Sequence, residues 1–227
     1  MKRLATLLRR LRGDTSGLAL IEFALSFPLV AGVGLYSVEL TNFALVTLKV
    51  NQITLNLADN AARVGTDAAL ATQQLREIDM NDVLQAARYQ GRQLNLTTNG
   101  RIIVSSLENV TGAQVIHWQR CIGLKPYDSS YGTTDDLDGT STNVADAGTP
   151  APNGMGETGA KVNAPAGYGV MFVEVSYDYQ PLISAYFIGT RRIHFIASYI
   201  VRDNRDFTRL FNPAPTAQAS LCSRYTT

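Results

Sequence analysis

From Leu18 to Val38 the chain has no polar rhythm: it is a run of 21 residues in which Glu22 is the sole charged side chain. As a helix, such a run matches the roughly 30 Å hydrocarbon core of a bilayer. Beyond it the pattern changes from uniform to striped. Leu40, Phe43, Val46, Val50, Ile53, Leu57, Ala61, Val64 and Ala68 step by three or four residues, which draws one apolar line along a helix. No Gly or Pro interrupts the stripe before Gly65, so one helix from Leu18 to about Arg63, roughly 70 Å long, is expected. The stripe must pack on something, and the chain's own domain is favoured over a partner coiled coil. Pro28 removes one backbone bond and is expected to kink the first part, an effect that Ser26 and neighbouring helices can absorb.

A second helix is expected after Asp79, capped by Asp79 or Asn81, with Val83, Leu84, Ala86 and Ala87 on its apolar face. Gln93 to Gly100 is a polar turn region. Period-two segments then appear: Arg101–Leu107 and Ala113–Cys121 form a hairpin around Asn109 to Gly112. In Gly169–Tyr179, Met171, Val173, Val175, Tyr177 and Tyr179 alternate with Phe172, Glu174, Ser176 and Asp178. After a break at Pro181 and Gly189, Thr190–Arg202 alternates again, with Ile193, Phe195, Ala197, Tyr199 and Val201 inward. Two helices on a four-stranded, mostly antiparallel sheet make an α+β fold: a long N-terminal transmembrane helix carrying a small β-sheet domain. The boundaries are a basic leader at 1–17, a transmembrane helix at 18–40, a helix extension at 41–78 and an α+β domain at 79–227. Between Lys125 and Gly167 the composition shifts to Gly, Pro, Ser, Thr, Asn and Asp, which predicts a flexible or functional loop.

Charge adds an orientation. The first 17 residues carry Lys2, Arg3, Arg9, Arg10 and Arg12 against Asp14, and a basic flank of this kind stays on the cytoplasmic side. The whole chain stands at +1 and the leader holds +4 of it, so a chain beginning at Leu18 would stand at −3. That leaves no electrostatic footprint for nucleic acid. Cys121 and Cys222 both fall beyond the membrane segment, in a compartment where disulfides persist, and a bond between them is expected; two buried free thiols are the alternative. Their spacing gives no zinc pattern.

Little chemistry presents itself. There is no nucleophile elbow, Walker loop or HExxH, and His117 and His194 each lie inside an expected strand beside apolar residues, which favours structural roles. No cofactor or metal is expected and nothing points to an enzyme. Asp135, Asp136, Asp138 and Gly139 suggest calcium, but with Gly139 as the sixth position Thr134 and Ala145 fall on the first and twelfth, against the EF-hand template. A solvated turn is the simpler reading.

The anomaly is Glu22. An ionised carboxylate in a bilayer costs at least ~2.5 kcal/mol and calls for a partner. If a peptidase cut after Gly17, the new amine of Leu18 would lie one helical turn from Glu22, and in a parallel helix assembly each Glu22 could meet a neighbour's amine. Alternatively Glu22 marks the end of a signal anchor and snorkels to the headgroups. A secretory signal cut near Val30-Ala31-Gly32 is a further option, though its apolar region would have to hold Glu22 and Pro28.

The basic leader, Gly17, four apolar residues, Glu22, Phe23 and an apolar helix resemble the G-x-x-x-x-E-F processing motif of TadE/TadG-like pseudopilins of bacterial tight-adherence (Tad, type IVc) pili. Glu39 and the later Leu57-Ala58-Asp59-Asn60-Ala61-Ala62-Arg63 are similar to that family's alanine-rich "AADAAAR" stretch, with Asn60 replacing the commoner Ala. Val173-Glu174-Val175-Ser176-Tyr177 with Pro181-Leu182 is similar to its late strand pair. The resemblance implies a pilin-like fold and cleavage after Gly17 by an aspartyl prepilin peptidase, with Glu22 and Phe23 serving assembly. It also implies a place in the inner membrane with the domain in the periplasm. The partners it implies are other pilins and pseudopilins, the inner-membrane pilus assembly platform and the lipid bilayer. An unprocessed single-pass periplasmic scaffold or binding protein is the alternative, and a secreted enzyme freed by signal peptidase a third.

Overall fold

A computed structural model describes residues 17–65, 72–140 and 148–227. The expected leader up to residue 16, Ala68 of the apolar stripe and Ala145 of the calcium template lie outside the described residues. The chain forms two units: one comprises the N-terminal segment through Ala44 together with Pro181–Gly189, the other Leu45–Gln180 with Thr190–Thr227. The architecture is α+β, as expected from the pattern.

Helix α1 covers Leu18–Arg63 as one element, ending at the residue the periodicity indicated. In its first unit the large apolar side chains from Leu18 to Val38 are exposed around the helix. In the second unit one face is buried: Val46, Val50, Ile53, Thr54, Leu57, Ala58, Ala61 and Ala62. The stripe therefore packs on the chain's own domain. The helix does not extend to residue 78, since Val64 and Gly65 already leave it and Gln73 and Arg76 form parallel bridges with Arg205 and Phe211. Arg205 closes the helix end by donating to the carbonyls of Ala61, Ala62 and Val64, the last-turn acceptors that have no partner inside a helix.

Helix α2, Glu77–Gln90, starts earlier than the expected caps. Arg76 is the N-cap, and Asp79 at the third helical position accepts its backbone N–H at 3.0 Å. The reciprocal use of a third-position acid explains why Asp79 looked like a cap. Ala86 is exposed; Met80, Val83, Leu84 and Ala87 face inward.

Among the described residues the sheet has five strands rather than four, all antiparallel, in the order β3-β2-β1-β4-β5. These are β1 Gly100–Val110, β2 Ala113–Ile122, β3 Thr149–Pro150, β4 Gly169–Asp178 and β5 Arg192–Ile200. The β1–β2 hairpin turns through Thr111 and Gly112, with φ of 51° and 93°. Two consecutive left-handed residues suit the right-handed strand twist, and Gly112 takes its place without steric cost.

Both faces of β1 and β4 are buried, against the half-buried alternation expected. One face meets α2, where Arg120 of β2 is bonded to Glu77. The other is covered by the span expected to be a flexible loop. Ala151, Met155 and Ala164 pack with Leu107, Ile116, Val170 and Phe172. Gln119 donates to Gly132 O, and the Glu174 carboxylate accepts from Ser129 Oγ and Ser130 N. The described part of 125–167 is thus a packed layer, and it supplies the edge strand β3. Composition hides this because Gly, Pro and Ser form loops whether or not their backbone is tied down.

Candidate functional site in the N-terminal helix

Gly17 is a turn residue directly ahead of α1, and its carbonyl accepts the first helical bond, from Ile21 N at 3.2 Å. A Cβ added at Gly17 would meet nothing within 4 Å, and its φ does not lie in the left-handed region. Leu18 and Glu22 stand at i and i+4, hence on one face, and both are exposed. Phe23 stacks on Phe27 with ring centroids 5.3 Å apart. The helix continues through Pro28, and Ser26 Oγ donates to Phe23 O at 3.3 Å. Further along, the hydroxyls of Ser37 and Thr41 donate to Val33 O and Ser37 O, each at 2.8 Å. Polar side chains that satisfy themselves on their own helix tolerate an apolar solvent. Among the described residues α1 is the one helix long and apolar enough to cross a membrane.

Sequence reasoning singled out Glu22 and passed over the chemistry of Glu39. Glu39 is fully buried, and its carboxylate accepts from the backbone N–H groups of Leu182 at 3.2 Å and Ile183 at 2.7 Å. Charge-assisted bonds of this kind are about twice as strong as neutral ones. They hold Pro181–Gly189, whose short helix α3, Ala185–Ile188, is capped by Ser184. Tyr36 and Phe187 add a ring contact at 6.3 Å. Pro181-Leu182 is therefore an anchored connection rather than part of a strand pair. The available signal was an acid placed directly after the apolar run, together with an uncharged, aromatic break between two strands.

The other candidates resolve as follows. Cys121 and Cys222 are joined in a disulfide. Arg101, buried, donates to the carbonyls of Gly123, Cys222 and Arg224, so the C-terminal tail is held by more than the sulfurs. His117 occupies the extra position of a β-bulge between the Leu107–Ile116 and Ser106–Trp118 pairs. Its Nδ1 donates to Glu108 Oε2 at 2.8 Å, while Ser106 Oγ donates to Glu108 Oε1 at 2.6 Å. A hydroxyl, a carboxylate and an imidazole are brought together, but the carboxylate sits in the middle. His117 does not bond Ser106, so this order does not activate the hydroxyl as a base-paired nucleophile requires. His194 is hydrogen-bonded to Ser176 at 3.0 Å.

Compared with protein families, curated proteins and solved structures, the chain matches none of them.

Asp135 and Asp138 close a turn on themselves, with Asp135 N donating to the Asp138 carboxylate at 3.1 Å. Among the described residues no group of three or more His, Cys, Asp or Glu is placed to hold a metal. What remains as a candidate site is the start of α1: Gly17, Leu18, Glu22 and Phe23.

Proposed function

We propose that the chain is a membrane-anchored minor pseudopilin of a Tad-type pilus, cut after Gly17 by a prepilin peptidase. The observation that carries this reading is at Gly17, a glycine for which the described structure has no internal use. Neither backbone conformation nor crowding calls for it, so the small residue at the start of α1 is open to recognition by a peptidase. Glu22 supports the reading as well, because cleavage would create the Leu18 amine one turn away, and an exposed carboxylate on an apolar helix needs such a countercharge in lipid. The basic leader orients the helix with its start in the cytoplasm and the domain in the periplasm. In the membrane the mature helix packs with other pilin helices, each Glu22 meeting a neighbour's amine.

Intact mass of the membrane-extracted chain tests the cut. A chain beginning at Leu18 is expected in the wild type and an uncut precursor in Gly17→Val; an uncut wild type in cells holding the peptidase would leave an unprocessed periplasmic scaffold instead. Glu22→Gln is expected to insert normally and lose cross-links to pilin partners, since a charge left alone in low dielectric costs ~3–5 kcal/mol. Cross-linking at the wild-type level would remove the pairing role.

A further inference from the structure

The connection between β4 and β5 reads Pro181-Leu-Ile-Ser-Ala-Tyr-Phe-Ile-Gly189: nine residues without a charge. Leu182 is 66% exposed and Tyr186 92%. Apolar side chains presented together in this way need a reason. Most of the backbone N–H groups of this connection are bonded. Leu182 and Ile183 donate to Glu39, Tyr186 to Ser184 Oγ, Phe187 to Ser184 O and Gly189 to Ala185 O, while Pro181 has no N–H to place. Internal satisfaction of this kind is what a non-helical segment needs if it is to leave water.

Its level along α1 is set by two contacts, Phe187 on Tyr36 and the two amides on Glu39. Tyr36 lies 18 residues beyond Leu18, a rise of ~27 Å, and Glu39 lies one turn further, so both fall where a hydrocarbon core of about 30 Å ends. Tyr36, Tyr186 and Phe187 thereby gather at one depth. Aromatic side chains concentrate at that boundary because their rings are apolar and their edges polar.

We propose that Pro181–Gly189 is a second membrane contact, lying in the headgroup layer at the far end of α1 with Leu182 and Tyr186 among lipid. Glu39 is its positioning residue: the buried carboxylate locks the segment to the helix and so sets the depth at which α1 rests. The occupant is phospholipid, because the segment is continuous with the spanning helix and belongs to the same unit. This rests on α1 crossing a bilayer and is independent of any cut after Gly17.

The full chain has one tryptophan, the buried Trp118, so Trp118→Phe with Tyr186→Trp gives a single reporter at an exposed position. In vesicles of phosphatidylcholine and phosphatidylglycerol, lipids brominated near the headgroup are expected to quench it several-fold more than deeply brominated ones, with aqueous iodide a weak quencher. Leu182→Trp in the same background should behave alike. Leu29→Trp, quenched best by deep bromines, verifies that α1 spans. Adding Glu39→Gln to the Tyr186→Trp chain should shift quenching from lipid to iodide while leaving the Leu29→Trp reading unchanged. With α1 inserted, a residue-186 reporter open to iodide and blind to brominated lipid would overturn the proposal. So would one shielded from both, which would mean that protein covers the segment.

Discussion

The two parts of α1 belong to one helix but differ in what their apolar side chains meet. Up to Val38 its apolar side chains point in every direction and stay exposed: Leu20, Leu25, Leu29, Val30 and Val33 among them. From Val46 onward Val50, Ile53, Leu57 and Ala61 are buried, while Lys49, Gln52, Asn56 and Asn60 lie on the exposed side. A helix apolar all round specifies no single packing face and is long and apolar enough to cross a membrane, whereas an amphipathic stripe specifies one face. The switch from uniform to periodic hydropathy thus marks where burial against the domain begins. Charge follows the same division. The domain buries its ions in bonded arrays such as Glu77–Arg120, and the apolar part carries one acid, Glu22, exposed.

Four measurements break or sharpen that contrast. The largest effect is expected from Arg120→Met, which leaves Glu77 buried without its cation. Loss of ~3–5 kcal/mol of domain stability is expected in denaturant unfolding, and a change near zero would mean that Glu77 finds water. Next, Leu57→Ala removes a buried side chain of the stripe and should cost ~2–5 kcal/mol. Leu25→Ala is its matched control and should leave the domain's unfolding midpoint where it was; equal losses at the two positions would erase the distinction between the two parts. Third, Leu29→Lys puts a cation in the middle of the apolar run. An insertion penalty of ~2.5–3.5 kcal/mol is expected, read as a larger alkali-extractable fraction, with the domain's midpoint unchanged.

The smallest effect concerns pH and the packed layer. Asp178 is partly buried, which alone would raise its carboxyl, but bonds from Tyr127 and Lys125 and the charges of Lys125 and Arg192 hold it below the ordinary carboxylate value. A lowered folded value means that this tether of residues 125–127 is fully present above the ordinary pKa. It is lost as pH falls through the lower one, below about pH 4. Amide exchange around Tyr127 should therefore accelerate in acid in the wild type, and Asp178→Asn should show the faster rate already at neutral pH.

These contrasts follow how much each region reveals of itself in one dimension. The β1–β2 hairpin is local: Asn109, Thr111 and Gly112 hold the turn chemistry, and Asn109 Oδ1 accepts Gly112 N at 3.0 Å. The disulfide could be anticipated because only two cysteines exist and both lie past the apolar run. The covering layer could not. Its order comes from strand residues such as Glu174 and Gln119, whose alternation gave no sign that both faces of the sheet would be buried.

The sequence by itself determined α1, its switch of character near residue 40, the antiparallel hairpin and the two later strands, because helix and strand periodicities are properties of neighbouring residues. Tertiary structure alone decided that the described part of 125–167 packs instead of hanging loose, that Arg205 closes α1, and that Glu39 grips Leu182 and Ile183. Each of these is a bond between a side chain and backbone groups more than 40 residues away. Backbone N–H and C=O groups are the same in every residue, so no local pattern marks which of them a distant side chain will reach.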